Sequence, residues 1–165
     1  METIEIGTCW AYPNGQILDT FQSFVKHALN PMLSSFCTTL TGIKQTDIDY
    51  APLFPIAALH LSNFIALHAA EDSIWTSWGA YDRTQIANDC ARRQIANPIT
   101  LRHLNAKKEF AKSGGIGKQV GMRKALELVG LQAPRAHHRA LDDAENVARL
   151  LPWVLAGSKT GDISG

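Results

Sequence analysis

A tight turn between two β-rich segments near the start of the chain constrains the fold most. The segments are ETIEIGTCWAY and QILDTFQSFV, and Pro13-Asn14-Gly15 separates them. Partly alternating apolar residues on both sides of such a turn predict a β-hairpin. The fold must therefore contain a β-sheet, which excludes an all-helical protein.

The rest of the chain combines helical periodicity with short apolar segments. Helical segments are expected shortly after Pro31 up to Gly42, within 52–69, within 81–95, and at 106–113, 122–131 and 140–155. SIWTSWG predicts a buried strand, and ITLRHLN fits either a strand or a loop. This order predicts one α/β or α+β domain over residues 1–156, followed by a polar tail, 157–165, that we expect to be frayed.

Composition narrows the class of protein. A chain of 165 residues suits one domain with a single core, and 45% hydrophobic with 19% charged residues is a globular composition. No apolar run approaches the roughly 18 residues that span a bilayer, and no secretory signal is recognisable, so we expect no membrane contact. Three cysteines without a Cys-x-x-Cys pair predict reduced thiols in a cytoplasmic protein, without a zinc site or disulfide framework.

Charge is unevenly distributed along the chain. Residues 83–139 contain twelve basic and three acidic residues, a net charge of +9, whereas the remainder contains four basic and twelve acidic residues, a net charge of −8. This asymmetry fits a polyanionic ligand on one face, but solvated basic helix faces produce the same pattern. The glycine-rich stretch 114–121 lacks phosphate-loop spacing and predicts a plain loop, although Lys118 and nearby amides could contact a phosphate.

Two histidines and two aspartates cluster in HHRALDDAENVARLL, at the entrance to the final helix. His138 is expected in the loop before the helix, and Asp143 one turn inside it, away from much of the apolar stripe. Histidine supplies a base that titrates near neutrality, and aspartate supplies a hard oxygen ligand for Mg²⁺ or Mn²⁺. Asp142 fits a helix cap or first-turn acid, and His137 fits a surface loop.

Asp82 follows the apolar strand SIWTSWG and opens the next helix. Open α/β sheets build binding sites where strands end and helices begin. The same position is also typical of a helix N-cap. Spacing alone leaves both interpretations open.

Six segments in order carry a family resemblance. They are IEIG (4–7), NPMLSSFCTTLTGI (30–43), WGAYDRTQI (78–86), LNAKKEFA (104–111), KALELVGL (124–131) and HHRALDDAENVARLL (137–151). Together they resemble the DEDDh 3′–5′ exonucleases of the ribonuclease H-like fold, in the branch related to histone-mRNA and small-RNA-processing enzymes. The resemblance covers Ile4 to about Leu155 and implies an α/β fold with a central mixed sheet flanked by helices.

The resemblance also implies a two-metal mechanism with Mg²⁺ or Mn²⁺. His138 matches the general base, Asp143 the last carboxylate and metal ligand, and Asp82 the third carboxylate, which supports the metal cluster. The segment that matches the family's packing around the terminal nucleotide consists of Leu40, Thr41, Gly42 and Ile43.

The implied substrates are 3′ ends of single-stranded RNA or DNA, with nucleoside 5′-monophosphates as products. We expect the basic segment 83–139 to hold the backbone, and residues near Trp78 and Tyr81 to stack on bases. Assembly of several copies stays open. Two other hypotheses are a non-catalytic nucleic-acid-binding module of the same fold and an interaction protein without nucleic-acid affinity.

The family's first motif, Asp-x-Glu on a strand ahead of IEIG, has no match, since only Met1-Glu2-Thr3 precede IEIG. The first strand of the family fold is then missing. Three explanations stay open: a start downstream of the natural one, a degenerate member that binds without cutting, or new strand pairing, for example across a dimer. Glu2 and Glu5 are the nearby acids that could substitute for the missing carboxylates.

Overall fold

The structure is a computed structural model that describes residues 2–29, 31–132 and 138–157. Its helices and strands, in chain order, are β1 (Glu5–Ala11), β2 (Ile17–Phe24), α1 (Ser35–Thr41), α2 (Gln45–Asp49), α3 (Phe54–His68), β3 (Ile74–Ser77), α4 (Tyr81–Arg93), β4 (Arg102–Asn105), α5 (Ala106–Ser113), α6 (Met122–Leu128) and α7 (Ala140–Val154). The α/β class is confirmed. The short helix α2 was not predicted, and β4 decides the open choice between strand and loop in favour of a strand. The part of the expected tail beyond Gly157 lies outside the described residues. The predicted surface residue His137 lies outside them as well.

Strands β1 and β2 form the hairpin that the Pro-Asn-Gly turn predicts. They pair antiparallel from Glu5 opposite Phe24 to Trp10 opposite Asp19, with an irregularity between Trp10 and Ala11. Gly15 has φ +88° and its N–H donates to the Tyr12 carbonyl at 2.9 Å, a conformation in which glycine is favoured.

Strands β3 and β4 form a second, parallel pair, with Ile74 opposite Arg102 and Ser77 opposite Asn105. Helix α4 lies between them in the chain, as parallel strands require a crossover. Within the described residues the four strands therefore group into two two-stranded sheets, one antiparallel and one parallel.

Two apolar clusters form the core. The first joins Ile6 and Val25 of the hairpin region to the inward faces of α3 and α4. The second surrounds the apolar stripe of α7 and includes Leu126 of α6 and Phe110 of α5. The prediction of α7 and of its stripe is confirmed at Val147, since this residue is buried in the second cluster.

Helix α7 packs directly on the hairpin. A Cβ atom added to Gly7 would lie 2.1 Å from the Leu141 nitrogen and 2.4 Å from the Ala140 carbonyl carbon. Only glycine allows the first turn of α7 to approach β1 this closely. Among the residues that the structure describes, no helix combines the length and apolarity needed to cross a membrane.

Candidate active site

Asp82 lies where β3 ends and α4 begins. Strand β3 ends at Ser77, Gly79 turns the chain with φ +120°, and the N-cap residue Ala80 makes no side-chain cap bond. Asp82 is thus a first-turn acid of α4 and not its N-cap.

Ser77 and His103 both act on the Asp82 carboxyl, and neither was predicted from the sequence. The Ser77 hydroxyl is 3.0 Å from Nε2 of His103, and Ser77 is buried. Although Asp82 is exposed, local crowding raises the pKa of its carboxyl, while a hydrogen bond from Ser77 and the charge of His103 act in the opposite direction. The two residues lie on the paired strands β3 and β4, where His103 is opposite Trp75 and Ser77 is opposite Asn105.

His138 and Asp143 lie on either side of the start of α7. His138 is exposed just before the helix, and its main-chain N–H donates to the Leu40 carbonyl at 3.4 Å. Asp143 is half-buried in the first turn, where its N–H donates to the Arg139 carbonyl at 3.0 Å. Asp142, also in the first turn, is exposed, as a helix-stabilising acid should be.

The Asp143 carboxyl is affected by the charges of both other predicted catalytic residues, Asp82 and His138. The pKa of Asp143 is raised to about 6, chiefly by burial; His138 acts to lower this pKa, and the negative charges of Asp82, Asp142 and Glu5 act to raise it. Such interactions act at short range. The charge of Asp82 on α4 and that of His138 before α7 therefore both act on the Asp143 carboxyl.

The predicted nucleotide-binding segment forms the end of α1. Leu40 is 40% exposed beside His138, and Gly42 ends the helix with φ +70°. Ile43, in contrast, is fully buried, which favours a packing role over contact with a nucleotide. Phe36 lies one helical turn before Leu40 and is 70% exposed, so it adds apolar surface beside Leu40. It was not among the predicted binding residues, although its spacing of four residues from Leu40 places both on one helix face.

The two predicted stacking aromatics have different environments. Trp78 packs against Phe110 at a ring distance of 5.7 Å, and its indole N–H donates to the Val120 carbonyl at 3.2 Å. This packing favours a structural role for Trp78. Tyr81, at the start of α4, is 62% exposed and remains a candidate for stacking.

Glu2 and Glu5, the considered substitutes for the missing acids, are engaged elsewhere. Glu2 accepts hydrogen bonds from Arg93 at 2.7 Å and from the Leu29 amide at 3.0 Å. Glu5 accepts hydrogen bonds from Arg139 at 2.9 Å and from the Ala140 amide at 3.0 Å. Both carboxylates are saturated by protein donors, which disfavours metal ligation.

The donor set fits one divalent cation better than two. Asp82 and Asp143 offer the oxygen ligands that Mg²⁺ and Mn²⁺ prefer. Burial is the main cause of the raised pKa of Asp143 and disfavours its charged form, which a bound cation would favour. No three His, Cys, Asp or Glu side chains within the described ranges, however, group closely enough to hold a metal ion. These residues therefore do not make up a two-cation cluster by themselves.

Comparison with protein families identifies the chain. The family model described as Exonuclease (RNase_T) matches residues 2–151, most of the sequence. The chain belongs to the exonuclease family. The match covers every strand and nearly all of α7, so it includes all the candidate catalytic residues.

Curated relatives of this exonuclease domain include human enzymes. The human protein named 3′-5′ exoribonuclease 1 is 29% identical over 147 residues, which cover 85% of this chain and 42% of the relative. Human ERI1 exoribonuclease 2 is 29% identical over 160 residues, 86% of this chain and 23% of the relative. The chain thus spans less than half the length of these human relatives.

Solved structures show the same fold. The nuclease domain of 3′hExo, described as a DEDDh family member bound to rAMP, superposes with a TM-score of 0.80 at 24% identity, covering 95% of this chain and 82% of that one. A 3′-exonuclease that recognises a histone mRNA stem-loop gives 0.81 at 24% identity, covering 94% and 56%. The exonuclease domain therefore has the ribonuclease H-like fold of the DEDDh nuclease domains. The DEDDh exonuclease family generally uses divalent metal ions.

Proposed function

We propose that this exonuclease domain binds the 3′ end of single-stranded RNA or DNA and hydrolyses the terminal phosphodiester. The observation that carries the proposal is the exonuclease family match over residues 2–151, which includes Asp82, His138 and Asp143. A base, two carboxylates and an adjacent apolar helix end are the groups that such hydrolysis needs.

Each residue has a distinct proposed role. His138 takes the proton from the attacking water, since this histidine is exposed to solvent beside the start of α7. Asp82 and Asp143 would hold Mg²⁺ or Mn²⁺, which supplies neutralisation of the phosphate charge. Leu40 and Tyr81 contact the terminal bases, because both expose apolar surface beside the site.

The basic region between α4 and α6 supports binding of the nucleic-acid backbone. Exposed cations along it are Arg83, Arg102, Lys108, Lys112, Lys118, Arg123 and Lys124. Phosphate neutralisation by such cations makes affinity fall as salt rises. The relatives' names and the bound nucleotides of the structural neighbours point to RNA as the substrate to test first.

Degradation of a 5′-labelled single-stranded oligonucleotide tests the proposal. RNA and DNA are incubated in parallel with Mg²⁺ or Mn²⁺ and with the chain, its Asp143→Asn variant, or Asp142→Asn as a matched control. We expect shortening from the 3′ end that Asp143→Asn reduces at least about a hundredfold and Asp142→Asn preserves. Asp142 is a fair control because it is an exposed acid of the same turn.

Two results contradict the proposal in different ways. Salt-sensitive binding without shortening in either metal indicates a non-catalytic nucleic-acid-binding module. Equal shortening by the chain and Asp143→Asn means that the site lies elsewhere or that a contaminating nuclease acts.

A further inference from the structure

Helix α7 receives its N-terminal cap from another strand. Its N-cap residue, Arg139, makes no side-chain cap bond. The first amide of the helix, Ala140 N–H, donates instead to Oε2 of Glu5 at 3.0 Å. Since Glu5 lies on β1, the beginning of the sheet stabilises the beginning of the last helix.

Arg139 holds the same carboxylate from a second direction. Its Nε lies 3.2 Å from each oxygen of Glu5, and its Nη2 lies 2.9 Å from Oε1. Gln22 donates to Oε1 at 2.6 Å, and the guanidinium lies 5.3 Å from the ring centroid of Phe24. The Glu5 side chain is only 3% exposed, so this is a shielded pair with a defined orientation.

The main chain of Arg139 connects this pair to the candidate catalytic residues. Its carbonyl accepts the Asp143 N–H at 3.0 Å, and His138 is the preceding residue. A change in the orientation of Arg139 therefore moves the base and the carboxylate together. A planar guanidinium that binds both carboxylate oxygens fixes orientation in a way that a lysine ammonium does not.

We propose that Glu5 and Arg139 are positioning residues that orient His138 and Asp143 by fixing the start of α7 on β1. Their effect on hydrolysis rests on the proposed function. Their effect on the orientation of His138 and Asp143 does not depend on it. Glu5 is thereby assigned a role in alignment and not in metal binding.

The test compares Arg139→Lys with a matched control, Arg93→Lys. Among the described residues, Arg93 forms the other shielded arginine–glutamate pair, 2.7 Å from Glu2, and it also pairs with the buried Asp89. Its side chain is 14% exposed, against 27% for Arg139. Arg93 lies on α4 and has no part in the start of α7. Both substitutions keep the charge and remove the planar fork, so they perturb stability by the same means.

Two measurements are made on each variant of the full chain. One is the steady-state hydrolysis of a 3′-terminal RNA linkage, with kcat and KM separated. The other is the NMR spectrum of the histidine rings, in which His138 is assigned as the signal absent from His138→Gln. Thermal unfolding shows that each variant is folded at the assay temperature.

We expect Arg139→Lys to lower kcat by about tenfold to a hundredfold with less effect on KM, and to shift or broaden the His138 ring signals. Arg93→Lys should lower Tm without either change. Glu5→Gln, which can still accept the Ala140 N–H, should retain more activity than Glu5→Ala. This order is not expected of a salt bridge that only adds stability.

Unchanged His138 signals in Arg139→Lys and Glu5→Ala overturn the inference, whatever the activity. Equal effects of Arg93→Lys and Arg139→Lys on kcat and on the His138 signals also overturn it. If the unmutated chain hydrolyses nothing, the proposed function fails, and the ring signals still decide whether Glu5 and Arg139 orient His138.

Discussion

The two helices that carry the site's carboxylates begin in different ways. Helix α7 begins against β1, where Glu5 caps it and Gly7 allows backbone contact. Helix α4 begins at Ala80 without a side-chain cap, and a Cβ added to Gly79 would meet nothing within 4 Å. Asp143 is thus held by contacts between the two ends of the chain, and Asp82 by residues near its own strand.

This difference predicts which changes reach the site. Substitutions on β1 should affect His138 and Asp143, because the start of α7 has no other cap within the described residues. The position of Asp82 depends mainly on Ser77 and on the end of β3. The two halves of one site therefore have separate structural supports, which mutations can remove one at a time.

Gly7→Ala should have the largest effect on stability. The added Cβ would overlap main-chain atoms of α7, which cannot rotate away as a side chain can. We expect a loss of about 3 kcal/mol in the free energy of unfolding, at the upper end of what overpacking costs. Urea unfolding monitored by circular dichroism measures it.

Gly121→Ala is the control for this comparison. A Cβ at Gly121 would meet no atom within 4 Å, and the backbone there has φ −67°. The free energy of unfolding of the Gly121→Ala variant should differ from that of the wild type by less than about 1 kcal/mol. Equal losses at both positions would show that the close approach of α7 to β1 does not limit stability.

Local patterns were sufficient for the hairpin and for α7. The Pro13-Asn14-Gly15 turn predicted the hairpin, and apolar periodicity around Val147 predicted α7. The strand-to-helix junction likewise located Asp82. Helix α2, Gln45–Asp49, has five residues and is too short to show a periodic pattern.

The roles of Glu5 and Arg139 could not be predicted from local patterns. These residues are 134 positions apart, and only the tertiary fold brings them into contact. Trp78 and Ile43 illustrate a second limit, since an apolar or aromatic residue near a site suits either ligand contact or core packing. Ile43 is fully buried and Trp78 is partly buried against Phe110 and Val120, which favours packing for both.

Asp143→Asn should stabilise the protein at neutral pH. Because the pKa of Asp143 in the folded state is about 6, above its ordinary value of 3.8, the folded state favours the protonated carboxyl. Wild-type stability therefore falls as pH rises from about 4 to above 6, by about 2 kcal/mol once solvent screening is allowed for. The Asp143→Asn variant has no carboxyl at this position, so its free energy of unfolding does not fall in this way.

Urea unfolding of both proteins at pH 4 and pH 7, without divalent ions, measures this effect. The stability difference between Asp143→Asn and wild type should grow from pH 4 to pH 7. A difference that is the same at both pH values would mean that the Asp143 carboxyl is not crowded in the folded state.

Asp82→Asn should show the same sign with a smaller size. The pKa of Asp82 is also raised by crowding, but Ser77 and His103 favour its charged form and the side chain is exposed. We expect the variant to gain less than about 1 kcal/mol between pH 4 and pH 7, since solvent screens exposed charges. Ser77→Ala, which removes the opposing hydrogen bond, should raise the pKa of Asp82 further, as carboxyl NMR titration would show. A pH effect at Asp82 as large as that at Asp143 would mean that both helix starts bury their carboxylates equally, and the distinction between a tertiary and a local support would fail.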